Sequence, residues 1–93
     1  MNDLSKTNQQ RMKKMEELLR AALSPTEIKI TDDSHLHAGH AGAKSGKGHF
    51  TLEIKSAEFE GISRVKQQQL VYQALGEMMQ TDIHALIIKA AIS

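Results

Sequence analysis

Five histidines are the residues of this chain best suited to bind a metal ion. His35, His37, His40 and His49 lie within one glycine-rich stretch, HLHAGHAGAKSGKGH, and His84 lies far downstream at the head of IHALIIKA. Histidine is the commonest metal ligand in proteins, and its free imidazole titrates near neutral pH. The pattern therefore poses the question of a ligand-binding site shared by a loop and a remote strand.

Spacing alone leaves two interpretations of these histidines open. An HxH pair such as His35 and His37 directs both rings to one side only in extended backbone, and the neighbouring glycines make that geometry unpredictable. Strong metal signatures need a fixed ligand spacing, which this loop lacks, so a solvated loop is the alternative to metal binding. For His84, the alternative to ligation is a local hydrogen bond at the start of a strand.

Composition narrows the classes of function. The chain has no cysteine, so it forms no disulfide and builds no thiolate metal site by itself. Its net charge of +1 is too small for bulk attraction to nucleic acid or membranes. Nucleophile-elbow and phosphate-loop motifs are missing, and Asp32-Asp33-Ser34 has ordinary turn chemistry. We expect neither catalysis nor a small-molecule substrate.

The length of 93 residues, 40% of them hydrophobic, suits one domain. We expect residues 1–6 to be disordered and residues 7–93 to form the domain, with a histidine- and glycine-rich loop at about 32–49. The first ten residues lack the apolar core of a signal peptide, and no run reaches the ~18 apolar residues of a membrane span. A cytoplasmic protein without membrane contact is predicted.

A first helix is predicted to begin after Thr7, which can form a capping box with Gln10, and to end at Ser24-Pro25. Its buried stripe has three- and four-residue spacing and comprises Met12, Met15, Leu19, Ala22 and Leu23. The opposite face is predicted to be solvated and comprises Arg11, Lys13, Lys14, Glu17 and Arg20.

Alternating apolar residues predict two strands that flank the histidine-rich loop, most simply as an antiparallel pair. The inward residues are Ile28 and Ile30 in the first strand, and Phe50, Leu52 and Ile54 in the second. The turn at Gly61 then leads into a helix over residues 63–80, whose predicted buried stripe is Val65, Val71, Ala74, Leu75, Met78 and Met79.

Residues 83–92 are predicted to form a largely buried strand inside the sheet or against helices, because neither face is polar. A strand-helix-strand connection is normally right-handed and joins parallel strands, so this strand should run parallel to the second. The predicted fold class is therefore α+β, in the order α-β-β-α-β.

Several segments together resemble BolA proteins over almost the full chain, from about residue 11 to 90. These segments are ALSP, DDSHLHAGHAGAKSGKGHF, the FEG turn at residues 59–61, SRVKQQQLVYQAL and IHALIIKA, in the family's order and spacing. The resemblance implies a fold related to class II K-homology domains, with a three-stranded mixed sheet and helices packed on one face.

The resemblance also implies an adaptor that partners a monothiol glutaredoxin around a bridging two-iron, two-sulfur cluster. The glutaredoxin would supply a cysteine and glutathione. This chain, in the role of the BolA protein, would supply His84 and a loop histidine. His37 is the best match for the loop ligand, and His40 and His35 are alternates. His49 matches a position where a structural role beside the strand is at least as natural as ligation. Two imidazoles on one iron resemble a Rieske centre, which has a raised reduction potential.

A second implication of the resemblance is transcriptional regulation through binding of duplex DNA. Arg64 and Lys66 at the start of the second long helix could contact phosphates, helped by the helix dipole and by the basic residues of the first helix. The phosphate-gripping GxxG of K-homology domains is absent, since Gly61 is followed by Ile62-Ser63-Arg64. Autonomous metal capture by the histidine-rich loop is a third possibility.

Overall fold

The computed structural model describes residues 7–34 and 47–92 and arranges them as three α-helices, one 3₁₀ turn and three strands. The elements are α1 (Asn8–Leu23), β1 (Glu27–Asp32), β2 (Gly48–Lys55), a 3₁₀ turn (Ala57–Phe59), α2 (Arg64–Leu75), α3 (Met78–Thr81) and β3 (Ile83–Ala91). The predicted order α-β-β-α-β is confirmed, except that two helices, α2 and α3, occupy the place of the second predicted helix. No helix of the described part is long and apolar enough to cross a membrane.

The three strands form one mixed sheet in the order β1-β2-β3. β1 pairs with β2 in antiparallel fashion, and β3 pairs with β2 in parallel, as predicted. Along β2 the side chains of Phe50, Leu52 and Ile54 are buried, whereas Glu53 and Lys55 are exposed. The helices therefore cover one face of the sheet, and the other face stays in contact with water.

The prediction that β3 is largely buried inside the sheet is wrong, whereas the alternative that it lies against helices holds for one face, where Leu86, Ile88 and Ala90 pack against the core. β3 lies at an edge, and its residues alternate between half-buried and exposed positions from Leu86 onward. Ile87, on the face without helices, is 58% exposed. A run of aliphatic residues suggested two covered faces, but this sheet has only one.

α1 begins with the predicted capping box, in which the Thr7 hydroxyl accepts from the Gln10 N–H and the Gln10 side chain accepts from the Thr7 N–H. Its buried residues are spaced four apart and are Arg11, Met15, Leu19 and Leu23. The prediction that Arg11 faces water is therefore wrong, and Ala22 of the predicted buried stripe is exposed.

The helix predicted over residues 63–80 is interrupted at Gly76, whose φ of 56° and ψ of −127° end α2 before α3 begins. Val71, Leu75 and Met78 are buried as predicted. Val65, also assigned to this stripe, is 64% exposed. Val65 lies six positions before Val71, which places the two roughly a third of a turn apart around the helix axis.

Candidate functional site

The parallel pair β2 and β3 begins with an irregular register. Gly48 lies opposite Ile83, but His49 lies opposite Ala85, so His84 is an extra residue on β3. Such a bulge redirects a side chain and interrupts the alternation of the strand. Ile83 is buried, whereas His84 and Ala85 are both exposed. The bulge therefore presents His84 at the surface where the two strands start.

His84 and His49 come together at this bulge. Their ring centroids lie 4.8 Å apart, and the ring planes are inclined by 53°. His49 is only 6% exposed, although it alternates with the inward residue Phe50 and belongs to the sheet face without helices. The site thus combines one accessible imidazole with one buried imidazole.

The backbone around His49 is fixed from the end of β1. The His49 N–H donates to Ser34 Oγ at 3.0 Å, and its carbonyl accepts from the Asp33 N–H at 2.8 Å. The Asp32 carboxylate accepts from the Ser34 N–H at 2.9 Å, which is the turn chemistry predicted for this segment. Hydrogen bonds therefore join Asp33 and Ser34, before the segment 35–46, to His49 after it.

Gly48 permits the close approach of these elements. A Cβ at this position would overlap the ring of Phe50 and would lie 2.9 Å from Asn8 Oδ1. The Gly48 N–H donates to the Asp82 carbonyl at 2.9 Å, which links the residue before His49 to the start of β3. A larger residue would displace the Phe50 ring and push β2 and α1 apart.

A buried ion pair joins α1 to Asp82, which lies two residues before His84 in the chain. Arg11 Nε of α1 donates to Asp82 Oδ2 at 3.1 Å, with 9% and 5% of the two side chains exposed. Arg11 also donates to Asn8 Oδ1 at 2.9 Å, and Asn8 Nδ2 donates to Ser34 Oγ at 3.0 Å and Asp32 Oδ2 at 3.2 Å. Hydrogen bonds therefore connect α1 with the start of β3 and the end of β1.

Sequence reasoning missed this polar cluster. A signal for Arg11 was present, because it lies four, eight and twelve residues before Met15, Leu19 and Leu23 on the same face of the helix. A charge in such a row needs a buried partner. No comparable signal identified Asp82 as that partner, since it is 71 residues away in the chain.

The predicted metal-site residues fall into two groups. His84 lies at the bulge, whereas His37, His40 and His35 lie outside the described residues. Among residues 7–34 and 47–92, no group of three or more histidine and acidic side chains could hold a metal ion.

The nucleic-acid candidates Arg64 and Lys66 lie at the start of α2. Arg64 lines a groove of about 280 Å³ together with Gln68 and Lys89. Lys89 lies five residues beyond His84 along β3, about 16 Å in an extended strand. The structure therefore separates the nucleic-acid candidates from the histidine pair.

The chain also matches known proteins. The model of the BolA-like protein family matches residues 19–93. Protein BOLA1, chloroplastic, from Arabidopsis thaliana is 44% identical over 81 residues, which are 84% of this chain and 51% of that protein. The chain thus spans about half of this plant relative. The DNA-binding transcriptional regulator BolA of Haemophilus influenzae is 35% identical over 74 residues, covering 80% of this chain and 69% of the regulator.

The fold comparison agrees with the sequence comparison. The BolA domain of SufE1 from Arabidopsis thaliana superimposes with a TM-score of 0.78 at 38% identity, covering 88% of this chain and 91% of that domain. The predicted resemblance and the predicted fold class are both confirmed. The family model, the sequence identities and the structural superposition together show that this chain belongs to the BolA family.

Proposed function

We propose that this protein is an adaptor that docks a monothiol glutaredoxin and completes a bridging two-iron, two-sulfur cluster with histidine ligands. One observation carries the proposal: the ring of His84 is exposed at a β-bulge, with the ring of His49 4.8 Å away. Bulges commonly redirect side chains beside functional sites. Because the chain has no cysteine, the thiolate ligands come from the glutaredoxin and its glutathione.

The available donors suit an iron site of this kind. Imidazole nitrogen is a common ligand of iron, and an exposed ring is accessible to a second protein. We assign His84 as the first ligand and His37 as the second, with His40 and His35 as alternates. His49 packs against the ring of His84 and limits the orientations open to it. Bound through two imidazoles, such a cluster would supply electron transfer at a raised potential.

Mixing the protein with cluster-loaded monothiol glutaredoxin tests the proposal, with visible absorption and circular dichroism as readouts. The wild-type chain should shift both spectra, and His84→Ala should remove most of the shift. His84→Cys should keep the uptake but change the spectrum, because a thiolate replaces an imidazole. Lys89→Ala, also exposed and on the same strand, is the matched control. Spectra unchanged by the wild-type chain would refute the adaptor function.

The same measurement identifies the second ligand. Among the alanine variants of His35, His37 and His40, only His37→Ala should weaken the spectral shift as strongly as His84→Ala. A loss confined to His40→Ala or His35→Ala would move the assignment to that residue. Titration of zinc into the isolated chain tests autonomous metal capture by the loop, and tight binding abolished by loop alanines but retained in His84→Ala would favour it over the adaptor.

A second candidate function is binding of duplex DNA at the start of α2. The groove that contains Arg64 and Lys89 supports it, together with a first helical turn of α2 that carries Lys66 and no acidic residue. A relative in Haemophilus influenzae is named a DNA-binding transcriptional regulator. The basic face predicted on α1 contributes less than expected, because Arg11 is buried and paired with Asp82.

Salt dependence tests this second function. Affinity for duplex DNA should fall steeply as salt rises, because bound phosphates release counterions. Arg64→Ala should weaken binding and flatten the salt dependence, whereas Lys29→Ala, which removes an exposed charge from β1, is the matched control. No binding at low salt would eliminate this function without touching the adaptor proposal.

A further inference from the structure

A buried charge begins the row of residues that α1 directs into the core. Arg11 is 7% exposed and is followed at four-residue intervals by Met15, Leu19 and Leu23. Burial of a guanidinium is costly unless it is paired and hydrogen-bonded. Here the Nε donates to Asp82, and a terminal nitrogen donates to Asn8. The position is therefore built around two specific partners.

Asp82 is the residue through which α1 reaches the start of β3. Its N–H donates to the Met78 carbonyl at 2.9 Å, and its own carbonyl accepts from the Gly48 N–H at 2.9 Å. Its carboxylate accepts from the Thr81 hydroxyl at 2.6 Å and from Arg11 at 3.1 Å. Both the backbone and the side chain are therefore fixed two residues before His84.

The second partner of Arg11 leads to the other histidine. The Asn8 side-chain amide donates to the Ser34 hydroxyl oxygen, which also accepts from the His49 N–H. Two branches of hydrogen bonds thus start at the guanidinium. One reaches the backbone before His84 through Asp82, and the other reaches the His49 backbone through Asn8 and Ser34. The two branches converge on the strand starts that hold the rings 4.8 Å apart.

We infer that Arg11 is a positioning residue that holds His84 and His49 in their mutual arrangement through Asp82 and Asn8. The inference deepens the proposed function, because it assigns a residue outside the histidine segments to the same ligand site. A hydrophobic residue would fill the core position of α1 equally well, but it would bond to neither strand start. The guanidinium supplies these two directional bonds, and its planar donor geometry allows both at once.

Amide hydrogen exchange of the isolated chain tests the inference, because each branch has its own reporter. The Gly48 amide bonds to Asp82 and the His49 amide bonds to Ser34. Arg11→Met should accelerate the exchange of both amides over wild type, and this acceleration should be about tenfold greater than that of the α2 amides. Tenfold corresponds to about 1.4 kcal/mol. The nuclear Overhauser contacts between the two imidazole rings should weaken in parallel. Arg20→Met removes an equal charge from the exposed part of α1 and should change neither.

A second variant keeps the test decisive if Arg11→Met does not fold. Asn8→Ala leaves the ion pair with Asp82 in place and should accelerate the His49 amide far more than the Gly48 amide. Equal acceleration of all amides in both variants would reduce Arg11 to a contributor to global stability and overturn the inference. Unchanged ring contacts in Arg11→Met would overturn it as well.

The result is separable from the proposed function. Exchange and ring contacts are measured without glutaredoxin, so a wild-type chain that takes up no cluster would overturn the adaptor while leaving the positioning role intact. Conversely, Arg11→Met with wild-type spectra in the glutaredoxin mixture would contradict the positioning role and leave the adaptor standing. Folded Arg11→Met that gives weakened spectra and local acceleration would support both.

Discussion

The two ends of the sheet join α1 to the strands in different ways. Where β2 and β3 begin, the buried pair Arg11 and Asp82 connects helix and strand. Where they end, the connection is neutral: the fully buried Ser56 donates its hydroxyl to the Leu23 carbonyl at 2.6 Å and accepts from the Glu58 N–H at 3.0 Å. The same fold thus attaches α1 through an ion pair at one end of the sheet and through a single hydroxyl at the other.

The neutral end shows that this architecture does not need a buried charge to attach α1. A buried ion pair is weak support for stability, because the loss of hydration offsets much of the attraction between the charges. Its advantage is direction, since Arg11 bonds to two partners at fixed angles. The end that carries the histidine pair is therefore the end where orientation is specified most closely.

Breaking the ion pair should produce the largest effect on stability. Arg11→Met removes the guanidinium that pairs with the buried Asp82 carboxylate and should lower the free energy of unfolding by about 3–5 kcal/mol. For a domain of this size that is a large share of the total. Urea unfolding followed by far-ultraviolet circular dichroism measures the change.

The double variant Arg11→Met with Asp82→Leu separates charge from shape. It should regain much of the lost stability, since the buried carboxylate is removed together with its guanidinium partner. A double variant as unstable as Arg11→Met would show that the charges themselves hold this end together. That outcome would contradict the interpretation that the ion pair contributes orientation rather than stability at this end of the sheet.

Local patterns predicted most of the fold but only part of the site. The capping box at Thr7 and the alternation along β2 depend on neighbours in sequence, and both were confirmed. The bulge at His84 depends on the register between two strands, and the partner of Arg11 is 71 residues away. Neither has a local signature, because each arises only when the helix and strands have packed.

The tight contact at Gly48 should give the next largest effect. Gly48→Ala places a methyl group against the ring of Phe50 and the amide of Asn8, and overpacking of this kind costs about 1–3 kcal/mol. Thermal unfolding measures it. In an Asn8→Ala background the additional cost should be smaller, because one obstacle is gone. Full additivity of the two changes would show that only Phe50 resists the methyl group.

At the neutral end, Ser56→Ala should have a moderate effect. The substitution leaves the Leu23 carbonyl and the Glu58 N–H without their bonds to the hydroxyl, which should cost about 1–2 kcal/mol in the free energy of unfolding. Amide exchange at Gly48 and His49 should change only in proportion to global stability. Selective acceleration of these amides would mean that the two ends of the sheet are coupled.

The smallest effect is expected from the surface ion pair of α1. Arg20 Nε donates to Glu16 at 2.8 Å across one helical turn, but 55% and 46% of the two side chains remain exposed. Water and salt screen such a pair, so Arg20→Ala should lower the free energy of unfolding by only about 0.3–0.5 kcal/mol, and less at high salt. Urea unfolding at low and high ionic strength checks this. The same helix therefore carries two arginine-carboxylate pairs of similar length, and their difference in burial accounts for the difference in the expected effect on stability.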